Sequence, residues 1–262
     1  MQAQAKFPFH GGTLVIDDRA RAAEIVARLI VGQLHYVEGL LQGLAGTPPT
    51  PTPGVIARAL AQLAQPVDDD GMVWRRDGWV FQYLSWIATV SKDRVVQAPH
   101  MQEGEHGLDN LYLEFDPDSK PILTICEDKA TDHPRRTVRD EVLPEFKATE
   151  QGLRDAKLQS KLTVLLRLSG RSREEIASAI ESVQWETTRR YAATVTTAEV
   201  EAPRLRSLYK EFDVVVPGDP ARRAGNVFHV TQLRPWMRAF CADVATAVTK
   251  LSGPASVAKP AT

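Results

Sequence analysis

The chain has 262 residues, 43% hydrophobic and 25% charged, with 32 basic side chains against 33 acidic and a formal net charge of −1. This is the composition of an ordinary globular protein, one large domain with extensions being favoured over two small ones, and its balanced charge excludes holding nucleic acid by global electrostatics. No run of 18 apolar residues is present, the segment from Met1 to Lys6 lacks the apolar centre of a signal peptide, and two cysteines, Cys126 and Cys241, cannot build a disulfide scaffold. The expectation is a cytoplasmic protein with reduced thiols and no membrane partner.

Asp17 and Asp18 are placed to cap a helix whose apolar residues (Ala22, Ile25, Val26, Leu29, Ile30, Leu34, Val37, Leu40 and Leu41) recur near every 3.6 positions. Gly43 and Gly46 end it, and the proline-rich stretch from Thr47 to Gly54 is a stiff connector. A helix from Val55 to Ala64 follows, then a loop at Asp68–Gly71 and a largely buried helix from Trp79 to Val90.

From Arg94 the pattern changes to strands: Val95–Val96, then Leu108–Phe115, in which Asp109, Leu111, Leu113 and Phe115 share one face. The turn Asp116–Pro121 leads to a strand from Ile122 to Lys129, and an antiparallel hairpin is the simplest pairing.

Asp132 and Pro134 open a helix that runs towards Lys157 with a kink at Pro144. Leu158–Leu168 reads as a helix, although its second half also reads as a strand. Then come a helix at Glu174–Val183, a strand at Arg189–Thr196 and a helix at Pro203–Phe212. Val214–Val216 and Val227–Val230 are short strands, Pro235 starts an amphipathic helix to about Leu251, and residues 252–262 form a disordered tail. The expected organisation is a helical N-terminal extension (1–70), a core (71–200) and a C-terminal addition (201–251).

The chemistry concentrates at Asp109 and at Glu127-Asp128-Lys129. Strand periodicity puts Glu127 and Lys129 on one face. Asp109 begins the core-facing side of its strand, an expensive place for an unpaired carboxylate. Folding the hairpin about its turn brings Asp109 level with Glu127 to Lys129. Two carboxylates and the backbone carbonyl of Asp128 form an oxygen set suited to Mg²⁺, with Mn²⁺ able to substitute, and Lys129 can orient a water or stabilise a phosphate.

Arg135, Arg136 and Arg139 lie in the first turns of the following helix, where cations oppose the helix dipole. They either meet a nucleic-acid phosphate or pair with Asp128, Asp132 or Asp140. Glu105 and His106 are possible accessory groups. Arg222-Arg223 sits in a Gly/Pro-rich loop, the tryptophans read as core anchors, Glu141, Glu145 and Glu150 as a solvated helix face, and Cys126 as packing.

This order of helix, strand, strand with Asp109, strand with Glu127-Asp128-Lys129, then helix resembles the PD-(D/E)xK nuclease superfamily. Residues 79–196 carry the resemblance, with Leu108 where that family has proline. It implies a restriction-endonuclease-like α/β core, a mixed central sheet flanked by helices, here with helical N- and C-terminal additions. It also implies Mg²⁺-dependent phosphodiester hydrolysis, with DNA as substrate and RNA not excluded. Asp109, Glu127 and Asp128 would hold the metal, with Lys129 completing the catalytic set. The near-neutral charge suggests a partner such as an ATPase or helicase subunit, or self-assembly, as in effector subunits of bacterial antiphage systems. The alternative is a non-catalytic nucleic-acid-binding or assembly module of the same fold.

Overall fold

The computed structural model describes residues 11–44, 46–64, 70–101, 109–181, 183 and 185–252. It is an α/β arrangement built on a mixed six-stranded sheet flanked by helices. In chain order, β1 (Thr13–Leu14) is followed by α1 (Arg19–Ile30), α2 (Leu34–Leu41), α3 (Pro53–Leu63) and α4 (Asp70–Thr89). Then come β2 (Val95–Val96), β3 (Asn110–Phe115) and β4 (Pro121–Lys129), an antiparallel meander in which Asn110 pairs with Cys126.

The connection from β4 to the parallel strand β5 (Arg189–Thr197) is all helical. It contains α5 (Pro134–Thr137), a π-helical segment (Val138–Val142), α6 (Leu143–Glu150), α7 (Asp155–Leu168), α8 (Arg173–Glu181) and α9 (Trp185–Thr188). After α10 (Ala202–Leu208), α11 (Phe212–Val215) and a 3₁₀ turn at Pro220–Arg222, β6 (Arg223–His229) pairs parallel with both β5 and β1, and α12 (Leu233–Lys250) closes the fold. The spatial order is β1-β6-β5-β4-β3-β2.

Both faces of the sheet are covered, which is why β4 is buried from Pro121 to Asp128. One face packs α1, α3, α4 and α12 around Trp86, Phe81, Phe228 and Phe240. On the other, Leu111, Leu113, Leu123, Ile125, Tyr191 and Val195 meet the helices that follow β4, through Val138, Val142, Phe146 and Leu162.

Several boundaries differ from those the sequence predicts. The first amphipathic run is two helices, because the chain turns at Gly32, whose φ of +84° suits glycine alone. The helix α4 starts at Asp70, well before Trp79. Asp132 does not cap the helix after β4; it accepts a hydrogen bond from Arg234 Nε at 2.9 Å, and His133 holds the cap position. Near Pro144, which supplies no N–H, the backbone widens into the π segment, and the helix ends at Glu150 because Gly152 turns at φ +80°. Val214 and Val215 belong to the short helix α11, not to a strand. Of the expected tail, residues 253–262 lie outside the described residues.

Arg222 and Arg223 are buried, not displayed in a loop, and donate to the carbonyls of Pro217, Val216 and Gly218. Gly225 keeps β6 continuous here: a Cβ would lie 2.6 Å from the Tyr209 ring packed across it. Glu150 likewise points inward, accepting from Tyr191 Oη at 2.6 Å and Arg222 at 2.8 Å. Trp79 and Trp86 are core residues as expected, whereas Trp74 is exposed with the Arg75 guanidinium over its ring.

Candidate active site

The meander carries Asp109 to the C-terminal end of β4. Asp109 stands one residue before β3, and because Asn110 pairs with Cys126 it falls opposite Glu127, on the same face as Glu127 and Lys129. The Lys129 ammonium lies 3.0 Å from Asp109 Oδ2 and 3.0 Å from Glu127 Oε2. Two further contacts orient Asp109: the Asp128 amide donates to Oδ2 at 3.1 Å, and Gln82 Nε2, from α4, donates to Oδ1 at 2.9 Å. Exposure of the side chains rises from Glu127 at 6% through Asp109 at 13% to Lys129 at 28%, so the group opens to solvent through the lysine.

Burial sets the electrostatics. It pushes the Glu127 carboxyl well above the usual range, and the Asp109 charge beside it adds to the rise while Lys129 opposes it. Burial alone would depress the Lys129 ammonium, but the two carboxylates outweigh it and hold the lysine above its ordinary value. With both acids ionised, two carboxylates on one lysine leave the cluster short of one positive charge, and Glu127 answers by holding its proton more tightly. Backbone geometry adds a third oxygen: N–H and C=O of one strand residue leave on the same side, and the Asp128 amide points past the end of β3 to Asp109. The Asp128 carbonyl therefore faces the same place. Its side chain faces the opposite side of the sheet.

No group of three or more His, Cys, Asp and Glu side chains able to hold a metal is present among the described residues. The donors are two carboxylates and a backbone carbonyl, all hard oxygens with a deficit of positive charge, and such a set fits Mg²⁺ or Mn²⁺.

The three arginines separate. Arg135 is committed to the carbonyls of Leu208 and Lys210, at 3.1 and 3.0 Å, and so pins α5 to the end of α10. Arg139 forks onto Asp140 at 2.6 and 2.8 Å, and Arg136 lies 3.8 Å from the same carboxylate with its side chain 77% exposed. Arg136 and Arg139 stay at the surface, and Arg135, half-buried, is held by backbone carbonyls. Glu105 and His106 lie outside the described residues.

Sequence reasoning missed Gln82 and a buried ion cluster. Asp77, fully buried on α4, accepts from Arg76 at 2.8 Å and from Arg234 at 2.7 Å, and Arg234 also holds Asp132, tying α4 and α12 to the loop after Lys129. A signal existed for Gln82. It and Ser85, three residues apart and so on one side of the helix, are the polar interruptions of the apolar run after Trp79.

No family model matches this chain, and no curated protein and no solved structure matches it either.

Proposed function

We propose that the chain is a metal-dependent nuclease with a restriction-endonuclease-like core of the PD-(D/E)xK kind, acting on DNA. The observation that carries the reading is the convergence of Asp109, Glu127 and Lys129 within 3.0 Å contacts at the end of a strand hairpin, short of one positive charge. The order of elements supports it: α4, the meander β2–β3–β4, helices, then β5 parallel to β4. Asp109 and Glu127 would hold Mg²⁺, with the Asp128 carbonyl as a third oxygen. Bound there, the ion supplies a Lewis acid for charge on the phosphate and a more acidic water.

The chain's own groups do the rest. Gln82 and the Asp128 amide fix the rotamer of Asp109. Lys129, the most exposed member, can hydrogen-bond a phosphate oxygen or hold an attacking water in line. Arg136 and Arg139, on the helix that leaves the site, offer cations for the flanking phosphates.

A plasmid-cleavage assay with Mg²⁺, with and without chelator, tests the reading. Glu127→Gln should lose cleavage and weaken Mn²⁺ binding in calorimetry. Lys129→Ala should lower cleavage by about two to three orders of magnitude yet bind Mn²⁺, because an ammonium cannot ligate a cation. If both variants cleave like the parent, the two-sided contact of Lys129 is a structural salt bridge. That outcome would favour the second reading, a non-catalytic nucleic-acid-binding or assembly module of the same fold.

A further inference from the structure

The opposite side of β4 holds a second polar site. Beneath the last turns of α4 a cavity of about 330 Å³ is lined by Ser85, Arg94, Asp128, Thr194 and Asn226, with the small side chains of Ala192, Ala224 and Cys126 forming its floor. Alanine and cysteine on these strands leave space that larger residues would fill. The volume lies at the lower end of the range for small-molecule pockets.

Two buried oxygens of the lining, Asp128 Oδ2 and Ser85 Oγ, lack a partner among the described residues. Asp128 is 4% exposed and Ser85 3%, and neither Asp128 Oδ2 nor Ser85 Oγ makes a hydrogen bond of good geometry. Burial raises the Asp128 carboxyl, and the Ser85 and Thr194 hydroxyls that approach it oppose this only in part, without satisfying it. Asp128 has no ion-pair partner among the described residues. The cation in the wall, Arg94, is already held by Glu114 at 3.2 Å and stacks on the Tyr112 ring. The C-terminal turn of α4, the negative end of the helix, lines the cavity through Ser85, Ala88 and Thr89. Asn226 Oδ1 is taken by the Gly12 amide. Buried polar atoms left this way carry a cost unless a partner meets them.

We propose that this cavity binds a small planar molecule presenting paired N–H donors, with Asp128 receiving the pair and Ser85 and Thr194 flanking it. A carboxylate matches two parallel N–H groups with good geometry, as in a guanidinium or the donor edge of guanine. A bare metal ion is too small to fill the space, and an anion would face the Asp128 carboxylate and the helix C-terminus. The proposal does not depend on nuclease activity.

Binding to the full chain is read without DNA or divalent metal, by thermal shift and calorimetry, with methylguanidinium and guanosine as separate probes. Tetramethylammonium, which has charge but no N–H, is the control. At millimolar concentration one of the two probes should raise the unfolding temperature while tetramethylammonium does not; which one does so separates a guanidinium from a nucleobase. Thr194→Val and Ser85→Ala, which remove a hydroxyl at little change in shape, should each weaken that binding about tenfold with the circular dichroism spectrum unchanged. The proposal is overturned if neither probe stabilises the protein, if tetramethylammonium does so equally, or if both variants bind like the parent.

Discussion

Two clusters of buried charge sit on the same face of the sheet, and their difference separates scaffold from site. At the start of β5, Arg189 and Arg222 meet Glu150 and Asp155; Arg189 donates to Asp155 at 2.8 Å and to the Thr149 carbonyl at 2.7 Å, and Arg222 reaches Glu150 at 2.8 Å. Two cations face two anions, and the Tyr191 hydroxyl adds a bond to Glu150. At the end of β4, by contrast, two carboxylates share the single cation Lys129. A balanced cluster can serve as structure. One that lacks a positive charge is held in a costly arrangement, and such arrangements gather where chemistry or binding compensates for them.

The largest effect should come from breaking the balanced cluster. Arg189→Ala strands Asp155 and half of the Glu150 shell, and should cost about 3–5 kcal/mol in urea unfolding while Mn²⁺ binding by the surviving folded protein stays unchanged. Glu127→Gln should cost far less, because it relieves repulsion with Asp109. Equal losses in the two variants would erase the distinction between the clusters.

The pH dependence of stability sharpens it next. Burial pushes the Asp128 carboxyl up to about 7 and raises Glu127 as well. Both bind protons more tightly folded than unfolded, so folding takes up protons and stability falls as pH rises. For Asp128 the fall runs from about 4, its unfolded value, to about 7. Glu127 adds to it from a similar starting point. Lys129 does not offset this, since the stability gained from its raised value is fully present below about 10 and lost only above that. Denaturation midpoints measured from pH 5 to 8 should decline, and Asp128→Asn should flatten the decline. A rising profile would contradict the assigned burial.

Smaller effects test the surroundings of the site. Gln82→Leu keeps volume but releases Asp109 Oδ1, and should lower metal affinity or cleavage about 10-fold with little change in stability. The smallest effect on the fold belongs to Arg136→Ala, within about 0.5 kcal/mol, because that side chain is 77% exposed. Its mark should be uniformly weaker DNA binding, with the salt slope reduced by about 1. A stability loss there would mean that Arg136 belongs with the scaffold.

Much of this was legible in the amino-acid pattern. Alternation along Leu111, Leu113 and Phe115, and the turn at Asp116–Pro121, specify the β3–β4 hairpin and bring Asp109 level with Glu127 to Lys129, while the exact register, Asn110 opposite Cys126, is seen only in the structure. With the register known, Asp109 has to fall beside Glu127 and Lys129, because side chains on a strand repeat every two residues. Residues far apart in sequence were not legible in the same way. That β1 would pair with β6, that Asp132 would turn to Arg234 instead of capping its helix, and that Glu150 and Arg222 would meet inside depend on which elements pack together. Local periodicity says which face of an element is apolar, but not which partner covers it. The same limit hid the role of Gln82 and the cavity behind Asp128. Both exist because α4 crosses the sheet where β4, β5 and β6 carry small side chains, and only tertiary packing decides where a helix crosses.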